Sequence, residues 1–453
     1  MKFEYDKLGS NSNFFLSQRF RKNSIYNILI VLVLLLYLFF YGYWLNKNLN
    51  SVEPFYKTFK DIGYWIEASN YLISYQNPYS NLEGFKSGII SALVFGTIQY
   101  VPTPFGVNLI WVLIFTFFGL LGFINTFIPS NKSTSGLIFL MLIFSSTREI
   151  FINAQITGIL LGVFSLFYYT SKLEKNIFIN SNYLLKNSID VLNGFLIIFL
   201  IDSKINIFLF PVLLIIVRYK KFKSLGWGFV IWLIIQIYYS IRLNDILILS
   251  WYDTLSSVAN PQINPDMYGS LGFWQIINKI LQSNLILSFG PAITFLILGI
   301  LSLKFSKTTN INYPLALAFS SNYFYSYFHY YSFFPLLTLF MYFILSYKSP
   351  FLFGLVASTM LISFNLTGTN LLISFGVMVV FITIFTFNLL KFDLYFIFGW
   401  CTSLGIRFLF LNEISEDDYF TKSMIVFIPL LVLLILFMIR TFVQKIGKFD
   451  SLE

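Results

Sequence analysis

Long apolar runs, separated by short polar stretches, organise the chain. The runs are continuous rather than alternating, so they predict helices and not the strands of an outer-membrane barrel. A helix needs about 20 residues to cross about 30 Å of hydrocarbon. Candidate spans read at 25–45, 105–128, 134–147, 156–171, 188–201, 205–217, 225–241, 284–303, 313–326, 331–347, 350–365, 370–390, 394–411 and 424–439. Several of these are short, so about 11–14 helices are expected. Residues 188–217 would form a single helix about 45 Å long. Asp202 and Lys204 interrupt that stretch, which predicts a tight turn between two helices. The segments 46–104 and 242–283 are long, fall on the same side of the alternation and are expected to carry short amphipathic helices. Long structured loops in a compact protein usually serve a function.

Composition narrows the class. The 453 residues are 57% hydrophobic, 21% aromatic and 11% charged, against about 25% charged in an ordinary soluble domain. The 30 basic and 20 acidic side chains are too few to cover a water-soluble surface, and the single cysteine, Cys401, excludes a disulfide-stapled scaffold. The expectation is an all-α polytopic integral membrane protein. It divides into an N-terminal segment 1–24, a core 25–347, C-terminal helices 348–440 and a tail 441–453. With the N-terminus inside, 20 of the 30 basic residues fall inside, and 10 fall outside with 13 of the 20 acidic ones. The net charge of +10 is therefore topogenic and calls for no nucleic-acid partner. Both long loops then face outward. The expected location is the inner (plasma) membrane of a bacterial-type cell, with the first span an uncleaved signal anchor. The inside loops hold no phosphate-cradling glycine loop, which argues against ATP-driven chemistry.

Candidate chemistry concentrates in the first long loop. Asp61, Trp65, Ala68 and Leu72 share one helical face, while Glu67 lies about 240° from Asp61 on the wheel. Asn77-Pro78-Tyr79-Ser80 reads as a closing turn. The helix is expected to lie at the surface with its aromatic residues at headgroup depth. Spacing leaves two roles open for Asp61, helix capping and proton transfer. His329, the one histidine, is either a packed side chain or a proton relay. One His and one Cys exclude a zinc site built from those ligands. Asp253, Asp266 and the run Glu413 to Asp418 are the carboxylates left for a metal, the last reading as a solvated loop. No metal or cofactor is expected. Trp65, Trp251, Tyr252 and Trp274 suit either stacking on sugar or interfacial anchoring.

The run Asp61, Tyr64, Ala68, Leu72, Asn77-Pro78-Tyr79 resembles the first-loop signature of glycosyltransferase family 87. These are integral-membrane enzymes of the GT-C class, best known as polyprenyl-phosphate-mannose-dependent mannosyltransferases. Arg148 with Ala154-Gln155 and Thr157 is similar to the family's outer turn. Lys204, then a helix ending in Arg218-Tyr219-Lys220-Lys221, resembles its lysine before a helix with a basic end. Tyr268-Gly269-Ser270-Leu271 and Tyr325 to Tyr331, which includes His329, resemble two later elements. Where the family has a Tyr-Pro-Pro step, this chain reads Phe85-Lys86-Ser87-Gly88. The resemblance implies a GT-C-like fold and transfer of a hexose, mannose in the best-known members, by inverting single displacement. The donor would be a polyprenyl-phosphate sugar, the acceptor lipid-linked or a glycan, and the medium membrane lipid. It makes Asp61 the base, with His329 as a second catalytic residue. Lys204 and Arg148, with Arg242 as a further candidate, would face the lipid phosphate. Gln155, Tyr64, Trp65, Tyr79 and Ser270 would contact substrate. Two competing expectations are an envelope oligosaccharide-repeat polymerase or ligase, which would use outer-loop arginines, and a lipid or solute transporter, which would place charges at mid-membrane.

Overall fold

The computed structural model describes residues 60–82, 85–100, 109–128, 155–173, 183–259, 284–307 and 310–324, together with 150, 273–274 and scattered positions between 332 and 402. The expected spans at 25–45, 134–147, 370–390 and 424–439 lie outside the described residues, as do most of those at 331–347, 350–365 and 394–411.

Among the described residues every regular element is helical. The elements are α1 (Lys60–Ile73), α2 (Pro78–Asn81), α3 (Ile89–Gly96), α4 (Leu109–Phe127), α5 (Thr157–Leu173), α6 (Tyr183–Ser203), α7 (Ile205–Tyr219), α8 (Phe222–Leu243), α9 (Leu247–Ala259), α10 (Asn284–Lys304) and α11 (Asn312–Tyr323). A short 3₁₀ turn, Thr97–Tyr100, follows α3. Two of these helices, α6 and α8, are long and apolar enough to cross a membrane. The break foreseen near Asp202 and Lys204 is present: Lys204 leaves helical geometry at φ −150°, ψ 77°, and α7 starts at the next residue. Both long loops carry helices, α1 to α3 in the first and α9 in the second.

The helices pack as a bundle in which small residues set the closest approaches. A Cβ on Gly119 would stand 2.2 Å from the Gly158 carbonyl oxygen, so α4 and α5 touch backbone to backbone. Gly194 and Gly228 bring α6 and α8 together in the same way. Close contact of this kind adds dispersion between the helices. α11 is buried along its whole length and packs between α7 and α10. One end of the bundle is marked by Arg218, whose Nη1 donates to the Ser306 carbonyl at 2.6 Å, and by Asn312, whose Nδ2 donates to the Phe127 carbonyl at 2.8 Å. The other end is marked by Lys204 and by Asn206, whose Nδ2 donates to Asn322 Oδ1 at 2.9 Å. α6, α7 and α8 therefore alternate in direction between a Lys204 end and an Arg218 end, as do α10 and α11, whereas α4 and α5 run parallel, with Thr116 against Gly158 and Phe127 against Tyr168.

Candidate functional site

The Lys204 end gathers pieces from across the sequence. Its first piece is α1. Ile62, Trp65, Ala68 and Leu72 are buried, so the apolar stripe read from spacing faces the bundle. Trp65 is 6% exposed and meets Phe95 edge-on at 6.0 Å. It is a packing residue of the core rather than a side chain at headgroup depth, because α3 lies over it. Tyr64 is half-buried against the same core. Lys60 is already helical, so Asp61 lies within the helix and does not precede it as a cap. The Asp61 side chain lies outside the described residues.

Asn77 closes α1 and opens α2. Its Oδ1 accepts from Tyr79 N at 2.9 Å, the side-chain cap expected of Asn before Pro. Its Nδ2 donates to Asp245 Oδ2 and, at 3.2 Å, to Ser250 Oγ. Trp251 Nε1 donates to the Lys86 carbonyl at 3.0 Å. The two long loops, 168 residues apart at the Asn77–Asp245 contact, are thus bonded to each other at one end of the bundle.

The segment that departs from the family pattern, Phe85 to Gly88, is fastened to the end of α6. Gly88 N donates to the Asp202 carbonyl at 2.7 Å, and Ser87 Oγ donates to the Ser203 carbonyl at 2.9 Å. Ser91 N then donates to Asp202 Oδ2 at 3.0 Å. Gly88 caps α3 without a side chain, so a carboxylate from a distant helix takes the place of the missing cap. Glycine at 88 leaves room for this carboxylate, because a Cβ there would stand 1.9 Å from Asp202 Oδ1. Tyr79 closes the turn by donating from its hydroxyl to the Ser87 carbonyl at 3.0 Å. Burial, reinforced by the negative charge of Asp202, holds that hydroxyl well above its usual 10.0. Tyr79 is therefore a neutral donor already in use and not a base.

Lys204 emerges from the same break on another partner set. Its Nζ donates to Gln155 Oε1 at 2.8 Å and to Thr157 Oγ1 at 3.0 Å. These two acceptors are neutral oxygens at the start of α5. The structure thus brings together Lys204, Gln155 and Thr157, and sets them beside the loop that carries Tyr79. Arg148, Ser270 and His329 lie outside the described residues. Arg242 is held at the corner of α1 and α8, over the rings of Tyr75 and Tyr238. Of the four aromatic residues singled out above, Trp65 and Trp274 are buried and Trp251 is bonded inward, while Tyr252 is 66% exposed. Asp253 is exposed, and among the described residues no group of three His, Cys, Asp or Glu side chains could hold a metal ion.

Sequence reasoning read Asp202 only as a helix breaker. Its capping of α3 has no local signal, since its partner Ser91 is 111 residues away. No family model, no curated protein and no solved structure matches the chain.

Proposed function

We propose that the chain is a polytopic membrane glycosyltransferase of the GT-C type, with its site at the Lys204 end of the bundle, facing outward from a plasma membrane. It transfers a hexose, mannose by the resemblance, from a polyprenyl-phosphate donor to a lipid-linked or glycan acceptor. The observation that carries this reading is the contact of Lys204 with Gln155 and Thr157. Two separate pieces of the family pattern, 49 residues apart, meet there through a cation and its acceptors.

The chemistry follows from what the reaction requires. An acceptor hydroxyl oxygen attacks the anomeric carbon and the bond from that carbon to the lipid-phosphate oxygen breaks. The electron pair leaves with the phosphate, and the hydroxyl proton passes to Asp61. A hydroxyl is a poor nucleophile and needs a base within hydrogen-bond reach. The lipid phosphate departs as a stable anion and is favoured by a positioned cation, the role of Lys204. Direct displacement inverts the anomeric centre.

The test is transfer of labelled mannose from polyprenyl-phosphate mannose in membranes that contain the chain, with lipid products separated by thin-layer chromatography. Asp61→Asn is expected to lower transfer by about 10²–10⁴-fold, the usual general-base contribution. Loss of a carboxylate that had no part in proton transfer would leave transfer measurable. Glu67→Gln, on another face of α1, is expected to keep most of the activity. Transfer by Asp61→Asn at the wild-type rate would overturn the mechanism.

A further inference from the structure

The corner where α1, α8 and α9 meet is exposed and chemically mixed. α8 stops because Asn244 adopts a left-handed φ of 51°, its N–H donating to the carbonyls of Ile241 and Ser240. The chain turns at once into α9, one face of which is fastened to the first loop through Trp251 and Ser250. The opposite face shows Leu249 and Tyr252, exposed by 56% and 66%, next to Ile246 and Ile241 at 57% and 74%. Amid these apolar groups stands Arg242, with its guanidinium carbon 5.4 Å from the Tyr75 ring centre and 5.7 Å from that of Tyr238. Both distances fall within cation–π range, about 6 Å. Tyr75 is fixed in place: it sits at φ 56°, with its N–H donating to the Leu72 carbonyl at 3.2 Å. Asp245, the nearest carboxylate in sequence, is engaged by Asn77 and Ser250, and Asp253 lies further along α9.

Water alone suits this corner poorly, because it solvates the arginine and not the apolar groups around it. The head of a phospholipid suits both. α8 is apolar and long enough to cross a membrane, and its exposed face runs without interruption into the corner through Ile234, Ile237 and Ile241. The corner therefore stands at the end of a span, where aromatic rings collect at headgroup depth and arginine reaches phosphate. We propose that Arg242, framed by Tyr75 and Tyr238, seats the phosphate of a bilayer phospholipid, while Ile241, Ile246, Leu249 and Tyr252 occupy the boundary between headgroups and acyl chains. The proposal rests on the membrane reading and not on sugar transfer. It assigns Arg242 to a resident lipid rather than to the donor.

The experiment is native mass spectrometry of the full chain in detergent, titrated with phosphatidylglycerol, with inorganic phosphate as competitor. The wild-type chain is expected to retain phosphatidylglycerol, and Arg242→Gln to retain it about five- to tenfold less well. Tyr75→Leu, which removes one ring from the frame, should give a smaller loss, and it decides the matter if Arg242→Gln fails to fold by circular dichroism. Inorganic phosphate should not displace the lipid. Unchanged retention in the deciding variant, or displacement by inorganic phosphate alone, would overturn the seat. Carbonate extraction of wild-type membranes separates the two readings. Release of the chain would end the membrane reading, whereas a chain that stays with the membrane while the deciding variant binds lipid normally would end only the seat.

Discussion

The two ends of the bundle handle charge differently. At the Arg218 end, Lys220, Lys221, Lys223, Lys304 and Lys307 cluster on short turns, with Asp190 as a carboxylate within reach of Lys223 at 3.3 Å. Several of these cations are exposed, and Lys220 sits in a left-handed cap at φ 58°. At the Lys204 end, Asp202 and Lys204 are built into the packing, while Arg242 and Asp253 are exposed. Asp202 is 2% exposed and caps α3, while Lys204 is bonded to α5. The exposed lysines at the Arg218 end suit orientation in a membrane, although Lys221 beside them is buried. Asp202 and Lys204, held by backbone and side-chain partners on α3 and at the start of α5, are costly to build, which is the reason for placing the proposed site at that end.

The largest expected effect would break the clasp at the Lys204 end. Gly88→Val places carbon where Asp202 Oδ1 stands, so either the carboxylate leaves Ser91 or α3 shifts off α6, and the change is expected to cost about 1–3 kcal/mol. Gly122→Ala, which meets no atom within 4 Å, is the matched control. It should be neutral or stabilise by up to about 1 kcal/mol through helix propensity. Thermal unfolding in detergent measures both, and equal melting temperatures would remove the clasp from the account.

A smaller effect is expected at the other end. Lys223→Ala removes the partner of Asp190, but the lysine side chain is 55% exposed. Ser224 Oγ still donates to Asp190 Oδ1 at 3.0 Å. The loss should be about 1 kcal/mol or less, read from the same melting curves. A loss as large as that of Gly88→Val would erase the contrast between the ends.

The smallest effect concerns pH. The Tyr79 hydroxyl is raised above its unfolded value, so folding favours its protonated form. That contribution is fully present below about pH 10, the unfolded value, and is lost as the pH climbs above it. Tyr79→Phe should therefore flatten the alkaline side of the stability profile and leave the profile near neutrality almost unchanged. An alkaline limb as steep as that of the wild type would show that other tyrosines set it.

Much of the local structure was legible in the sequence. The apolar stripe of α1, the turn at Asn77 and the break at Lys204 each depend on residues close together in the chain, where periodicity and turn chemistry act directly. The short α3 was hidden in the first loop because its eight mostly apolar residues, Ile89–Gly96, are too few for a span and make no amphipathic pattern. Trp65 was misplaced because the wheel shows which face is apolar and not what covers it. The Asp202–Ser91 and Asn77–Asp245 bonds join residues more than 100 positions apart. Such pairings follow from how the helices assemble, and no local pattern encodes them. For Lys204 and Gln155 the family resemblance supplied candidates, and packing supplies their contact.

The central claim is that the Lys204 end, and not the Arg218 end, carries sugar transfer. The direct measurement compares Lys204→Ala with Lys223→Ala, at matched protein levels, in transfer of labelled mannose from polyprenyl-phosphate mannose. Lys204→Ala is expected to lower transfer by about 10²–10³-fold, as loss of a charge-stabilising group does, while Lys223→Ala stays close to the wild type. Transfer by Lys204→Ala at the wild-type rate, or an equal fall in both variants, would contradict that claim.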